Sequence, residues 1–288
     1  MLANGHTSFV LPMQYPVTAH IRGTIQFLAN NVPINVLGMR FAAPNNALTT
    51  IPALLPDGPG GGSIAHIATG NGWQTTFVLV NPNDFPQTFQ LNFFADNGTP
   101  LTLPIGFPQT GVTDVASVVK QTLPANATLL IQTAGLAEDP APTVGSAQLT
   151  TDIDVTAFVI YRYAPNTNAP NPQEAAVPFE TRTASAYILA FDNTAGTATG
   201  VAVNSVSSQA VNVPVVIRDE AGNLLATDVL KLTANGHASF TLVTDRYPET
   251  ANIRGTIEFD TPSGGQIGAL AFRIPTTHTF TTLPALTK

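Results

Sequence analysis

In the stretch NIRGTIEF (Asn252–Phe259), Ile253, Gly255, Ile257 and Phe259 fall on one side of a two-residue alternation. Arg254, Thr256 and Glu258 fall on the other. That period belongs to a strand with one buried and one wet face. Ile21, Gly23, Ile25 and Phe27 repeat it in HIRGTIQF, and the glycine in the inward row predicts room for a large neighbour or a bulge. No segment keeps an i, i+3, i+4, i+7 pattern for three turns, the nearest being VTDVASVVKQ (Val112–Gln121). Asp96-Asn97-Gly98 and Asp219-Glu220-Ala221-Gly222 lie between apolar runs, and Asn4-Gly5 and Asn235-Gly236 precede the Ser-Phe strands. These are residues that tolerate positive φ in hairpins. The pattern predicts an all-β fold of tandem immunoglobulin-like antiparallel sandwiches.

The alternation is also repeated at long range. NGHTSFVL (Asn4–Leu11) answers NGHASFTL (Asn235–Leu242), and TTIPAL (Thr49–Leu54) answers TTLPAL (Thr281–Leu286). The spacing is 232 residues between Gly23 and Gly255 and drifts by one elsewhere. A fainter third copy includes LPANATLLI (Leu123–Ile131), VGSAQLTT (Val144–Thr151) and AFVIYRY (Ala157–Tyr163). Tandem units follow from such repetition. They divide the chain into a partial sandwich over 1–55, a linker over 56–62, and sandwiches over 63–180 and 181–288. The first copy reads as the back half of a unit only. LLPDGPGGGS (Leu54–Ser63) reads as a flexible connector and YAPNTNAPNPQE (Tyr163–Glu174) as a loop without regular structure.

GNGWQTTFVLVNPN, LPANATLLIQTAG, AYILAFDN and IRGTIEFDTPSGGQIGAL together resemble the tandem β-sandwich segments of large, uncharacterised secreted bacterial surface proteins. The resemblance covers essentially the whole chain. It implies export, modular stacking and no enzymatic activity in the repeated segments, and it assigns no functional residues.

Composition narrows the partners. Charged residues are only 10% of the 288, and the net charge is −7. That balance lacks the basic patches that nucleic acid or an anionic membrane needs. With no cysteine there are no disulfides and no thiolate sites. No apolar run is long enough to span a bilayer, and MLANGHTSFV has neither the positive n-region nor the apolar h-region of a signal peptide. An extracellular or cell-surface location therefore implies an export signal outside this chain.

Candidate chemistry is sparse. Ser117-Val-Val-Lys120 matches the S-x-x-K of serine β-lactamases, but no SDN or KTG follows. His6, His20, His66, His237 and His278 form no H-x-H or H-E-x-x-H. The acidic pairs Asp152/Asp154, Glu138/Asp139 and Asp219/Glu220 could bind Ca²⁺ but lack EF-hand spacing, so no cofactor is assigned. Arg40, Arg162 and Arg273 recur at the end of an apolar strand in all three units. Recurrence favours a structural role for them over a site. Trp73, the only tryptophan, reads as a core or interface plug, or as a sugar platform.

The half copy carries apolar positions meant for a core: Phe9, Leu11, Ile21, Ile25 and Phe27, then Val36, Met39 and Phe41. Without partners they form an interaction surface, and three outcomes follow. The half-unit packs on the middle domain, another molecule completes it, or the chain is part of a longer repeat protein. The sequence therefore points to a non-enzymatic extracellular structural or adhesive module that assembles by strand complementation into a filament or surface layer. Its partners would be other copies of itself or of a parent repeat protein. The alternatives are a carbohydrate-binding module, with a glycan as partner, and an accessory region of a secreted hydrolase.

Overall fold

The computed structural model describes residues 5–29, 33–42, 47–55, 60–151, 153–164, 172–276 and 280–288. Strands hold 53% of it and helices 6%, so the fold is all-β, with antiparallel sheets packed as sandwiches. The chain divides into two units, Met1–Ile34 and Asn35–Lys288.

The larger unit opens with a hairpin, β1 (Gly38–Ala42) and β2 (Ala47–Ile51). The middle sandwich follows: β3 (Gly62–Thr69), β4 (Trp73–Val80), β5 (Gln87–Phe94), β6 (Leu103–Phe107), β7 (Val112–Ala116), β8 (Val118–Leu123), β9 (Thr128–Thr133), β10 (Thr143–Thr151), β11 (Thr156–Tyr163) and β12 (Gln173–Pro178). Its sheets run β3-β10-β5-β8 and β12-β11-β4-β9-β6-β7. On β5, buried Phe89, Leu91 and Phe93 alternate with half-buried Gln90, Asn92 and Phe94. They meet Phe77, Leu79 and Ile131 from the facing sheet. Each such side chain contributes about 2 kcal/mol by leaving water.

The last sandwich comprises β13 (Ala186–Asp192), β14 (Ala198–Ser205), β15 (Val211–Asp219), β16 (Leu224–Leu232), β17 (His237–Thr241), β18 (Arg254–Asp260), β19 (Ile267–Ile274), β20 (Thr281–Leu283) and β21 (Leu286–Thr287). Its sheets run β16-β15-β18-β13-β21 and β17-β14-β19-β20. Ile257 and Phe259 are fully buried with Tyr187, Leu189 and Val215, so the alternation in NIRGTIEF is realised. The inward glycine has a different cause from the one its sequence suggests. A Cβ on Gly255 would collide with the backbone carbonyl of Arg218 on β15, not with a side chain of the opposite sheet. Gly255 pairs with Asp219, next to the bulge between Ile217 and Arg218.

Met1–Ile34 departs from the sequence expectation. Residues 5–29 contain no strand, although HTSFVL and HIRGTIQF are nearly the words that form β17 and β18. The reason lies in hydrogen bonding. β18 is held between β13 and β15, and β17 is held by β14. Among the described residues no strand pairs with 5–29, and a strand with no neighbour leaves its backbone donors and acceptors unpaired.

What is encoded locally does form. In the first copy the helical turn α1 (Leu11–Gln14) is followed by a 3-10 turn (Pro16–Thr18). In the last sandwich a π-helical turn (Leu242–Arg246) precedes a 3-10 turn (Pro248–Thr250). The Thr18 hydroxyl donates to the Tyr15 carbonyl at 2.8 Å, and Thr250 to that of Tyr247 at 2.7 Å. Phe9 and Tyr15 meet edge to face at 5.8 Å, Phe240 and Tyr247 at 5.7 Å. Both segments then place one residue at positive φ, His20 at 63° and Asn252 at 59°. The one-residue drift in repeat spacing is located here. LVTDRY has one residue more than LPMQY, and the π turn absorbs it.

Val112–Gln121, the nearest approach to a helical pattern, forms strands β7 and β8, as its β-branched residues favour. One further expectation is corrected. The loop expected over Tyr163–Glu174 is ordered at its ends, where Tyr163 pairs with Gln173; residues 165–171 lie outside the described residues.

The β1–β2 hairpin repeats β19–β20 in register. Met39 faces Thr50 and Arg40 faces Thr49, as Phe272 faces Thr282 and Arg273 faces Thr281. Ile51 and Leu54 cover Val78, Phe158, Ile160 and Ala176 on the outside of the middle sandwich. Arg40 reaches buried Glu174 at 3.2 Å. Met39 and Phe41, expected on an inward row, are exposed. The inward positions are Gly38, Arg40 and their partners, because two-residue alternation leaves only one set facing the middle sandwich.

Candidate functional site

The richest side-chain cluster lies where the middle and last sandwiches meet, and its members are distant in sequence. Strand β3 presents His66, and β17 presents His237. His66 Nδ1 and His237 Nε2 are 3.3 Å apart. His237 Nδ1 lies 2.7 Å from Asp96 Oδ1. A carboxylate accepts only, so Nδ1 of His237 carries the hydrogen and its Nε2 is free to accept from His66. The backbone N–H of His237 also donates to the Asp96 carbonyl. Burial, reinforced by the neighbouring His237, lowers the pKa of His66 to about 3. The Tyr161 hydroxyl donates to the His66 carbonyl at 2.7 Å, and burial raises its pKa. His66 is thus a neutral imidazole at ordinary pH.

Rings pack around this pair. Phe272 stands edge-on to Tyr161 at 5.0 Å and to His66 at 5.8 Å. Trp73 contacts Tyr163 at 4.7 Å, Phe280 at 5.2 Å and Phe272 at 6.4 Å. Gln148 donates toward Ser205 and Asn235 across the same junction. The Asp96-Asn97-Gly98 turn, anticipated from its residue types, has a second purpose. Gly98 has φ +79°, and a Cβ there would strike the Ala234 carbonyl of the last sandwich. Turn and junction both require that glycine.

Trp73 therefore packs at the junction, where Tyr163 and Phe280 cover its ring. We expect Trp73→Ala to lower stability by about 2–3 kcal/mol through lost aromatic packing. Urea unfolding followed by circular dichroism measures this, and an unchanged midpoint would show that the cluster holds nothing together. The remaining interaction-surface residues lie in the smaller unit. Phe9, Ile21, Ile25 and Phe27 are exposed, and Leu11 is half-buried.

The other sequence candidates do not converge. Ser117 and Lys120 flank and occupy strand β8, where residues three apart point to opposite faces, so the lysine cannot serve the serine. Asp139 caps the Leu136 N–H, Asp154 takes the Gly60 N–H, and Asp219 closes its own turn onto Ala221 and Asn223. Asp152 and His278 lie outside the described residues. No three His, Asp or Glu side chains among the described residues gather as a metal site. Arg273 and Arg254 share Asp192, whose pKa is lowered to about 2, chiefly by the Thr194 hydroxyl. Arg40 meets Glu174, so two of the three recurrent arginines tie carboxylates at strand ends.

An open cleft of about 370 Å³ lies between Leu54, Val177, Leu270 and Ala285. Its ionised groups, Glu180 and Arg182, pair with each other at 2.6 Å. The cleft offers apolar volume with its acid and base already joined. No helix among the described residues is long and apolar enough to cross a membrane.

The histidine pair was invisible in the sequence. The two residues are 171 positions apart, and no motif links them. Comparison with known proteins finds no matching family model, curated protein or solved structure.

Proposed function

We propose that this protein is a non-enzymatic, extracellular structural or adhesive repeat module that assembles by completing its partial first unit with β-structure from another copy. One observation carries this reading. HIRGTIQF forms no strand and is exposed, while nearly the same words in the last sandwich form a strand paired on both edges. A segment with the sequence of a central strand and no neighbours is suited to strand addition. Among the described residues the outer edge of β1 pairs with no strand, whereas the matching edge of β19 is filled by β14. Low charge and repeated folding units fit a stacked, surface-exposed role.

Light scattering of the full-length protein at rising concentration should show mass increasing beyond one chain, with end-to-end particles in negative-stain images. A single-chain mass at all concentrations would end the self-assembly reading.

A carbohydrate-binding role is less well supported, because the ring assigned as a platform, Trp73, is covered at the junction.

A further inference from the structure

We propose that the outward face of the β1–β2 hairpin, formed by Leu37, Met39, Phe41 and Leu48, docks a further β-sandwich of the kind this chain contains. It would do so as the last sandwich docks onto the middle one. This deepens the assembly reading by naming a surface and the chemistry of its partner. By register, Leu37, Met39, Phe41 and Leu48 are the counterparts of Leu270, Phe272, Ile274 and Phe280. Leu37, Met39 and Leu48 are 69%, 55% and 50% exposed, whereas Leu270, Phe272 and Phe280 are 2%, 8% and 7% exposed. The covered set owes its burial to the middle sandwich: Leu270, Phe272 and Phe280 belong to that sandwich's core cluster, and Ile274 packs against it.

The same hairpin therefore occurs twice in one chain, once with a sandwich against its outer face and once without. Arg40 turns to the opposite side, onto Glu174, so the exposed face presents Thr50 and four apolar side chains without a charge. Such a patch suits an uncharged, ring-bearing sheet face. The face that covers the counterpart is of that kind: His66, Trp73, Tyr161 and Tyr163, with His66 held neutral. The occupant is thus a sandwich whose open edge, between strands equivalent to β3 and β12, exposes a cluster of this type. In a second copy of this chain that cluster is already covered by its own last sandwich, so the probe must uncover it.

The test uses the full-length chain with Phe272→Asp and Phe280→Asp, which opens the Trp73 face, followed by sedimentation velocity at about 100 µM, where sub-standard interfaces associate. The opened chain should reach about twice the monomer mass or more. Adding Met39→Asp and Phe41→Asp should return it to monomer, while Val115→Asp, at an exposed apolar position on β7, should not. No association, or association indifferent to the hairpin substitutions, overturns the proposal. If circular dichroism shows that the charged pair unfolds the protein, Phe272→Ala with Phe280→Ala gives the same reading. Failure of the assembly reading is separate, since it appears as a strictly monomeric wild type, whose Trp73 face is closed.

Discussion

Gly255→Ala should lower the stability of the protein by about 3 kcal/mol, while the same change at Gly23 should leave it within about 0.5 kcal/mol of wild type. The two glycines occupy the same place in the same words, so propensity alone predicts equal effects. Their surroundings differ. A Cβ at Gly255 meets the carbonyl and carbon of Arg218 and the Cα of Asp219, which are backbone atoms of a paired strand with no rotamer to escape into. The strand would have to move, at a cost to the β15–β18 ladder and to the neighbouring bulge between β15 and β16. At Gly23 nothing lies within 4 Å. Alanine there has ordinary backbone freedom and loses less entropy on ordering than glycine, so neutrality or slight gain is expected. Thermal or urea unfolding of both variants measures the contrast. Equal losses would mean that Ile21–Phe27 is paired within the isolated chain. The pair also bears on assembly: if another strand completes the first unit as β15 completes the last, Gly23→Ala should weaken association while sparing the monomer.

The second large effect is pH-dependent. His66 has its pKa lowered to about 3 in the folded protein, against about 6.5 in the unfolded chain. Between these values the unfolded chain binds the extra proton and the folded one does not. Stability is therefore complete above about pH 6.5 and falls progressively as pH drops toward 3. The ceiling is about 1.4 kcal/mol per pH unit. Because His66 is only partly covered, the expected total is a few kcal/mol. The physical cost is the burial of an imidazolium at the junction, to which the neighbouring His237 adds. His66→Gln removes the titration, so its melting temperature should fall less steeply than that of wild type from pH 6.5 to 3.5. Parallel slopes for the two proteins would show that the junction does not exclude the proton.

Much of the fold was legible because the decisive signals were local or repeated. Two-residue alternation placed β18, repetition pointed to β10 and β11, and turn residues marked Asp96–Gly98 and Asp219–Gly222. Repetition paired β1–β2 with β19–β20. What could not be read depended on distant partners. HIRGTIQF has every local feature of a strand yet lacks the two neighbours that β18 enjoys. Met39 and Phe41 looked like core residues, because a strand's two faces cannot be told apart until the sheet opposite is known. His66 and His237 carried no motif, since only the docking of two sandwiches brings them together. Arg40, Arg162 and Arg273 were seen to recur, but the carboxylates that meet two of them, Glu174 and Asp192, belong to strands with no fixed sequence offset.

The π turn at Leu242–Arg246 has a consequence for how such modules diverge. One added residue widens a single coil, and the chain returns to the same carbonyl–hydroxyl latch, positive-φ corner and exit direction. A one-residue change of length at that corner is thus absorbed within the turn itself. Neighbouring modules can drift in length there while their ladders remain superimposable, and a short foreign loop could be spliced in at the same spot without disturbing the frame.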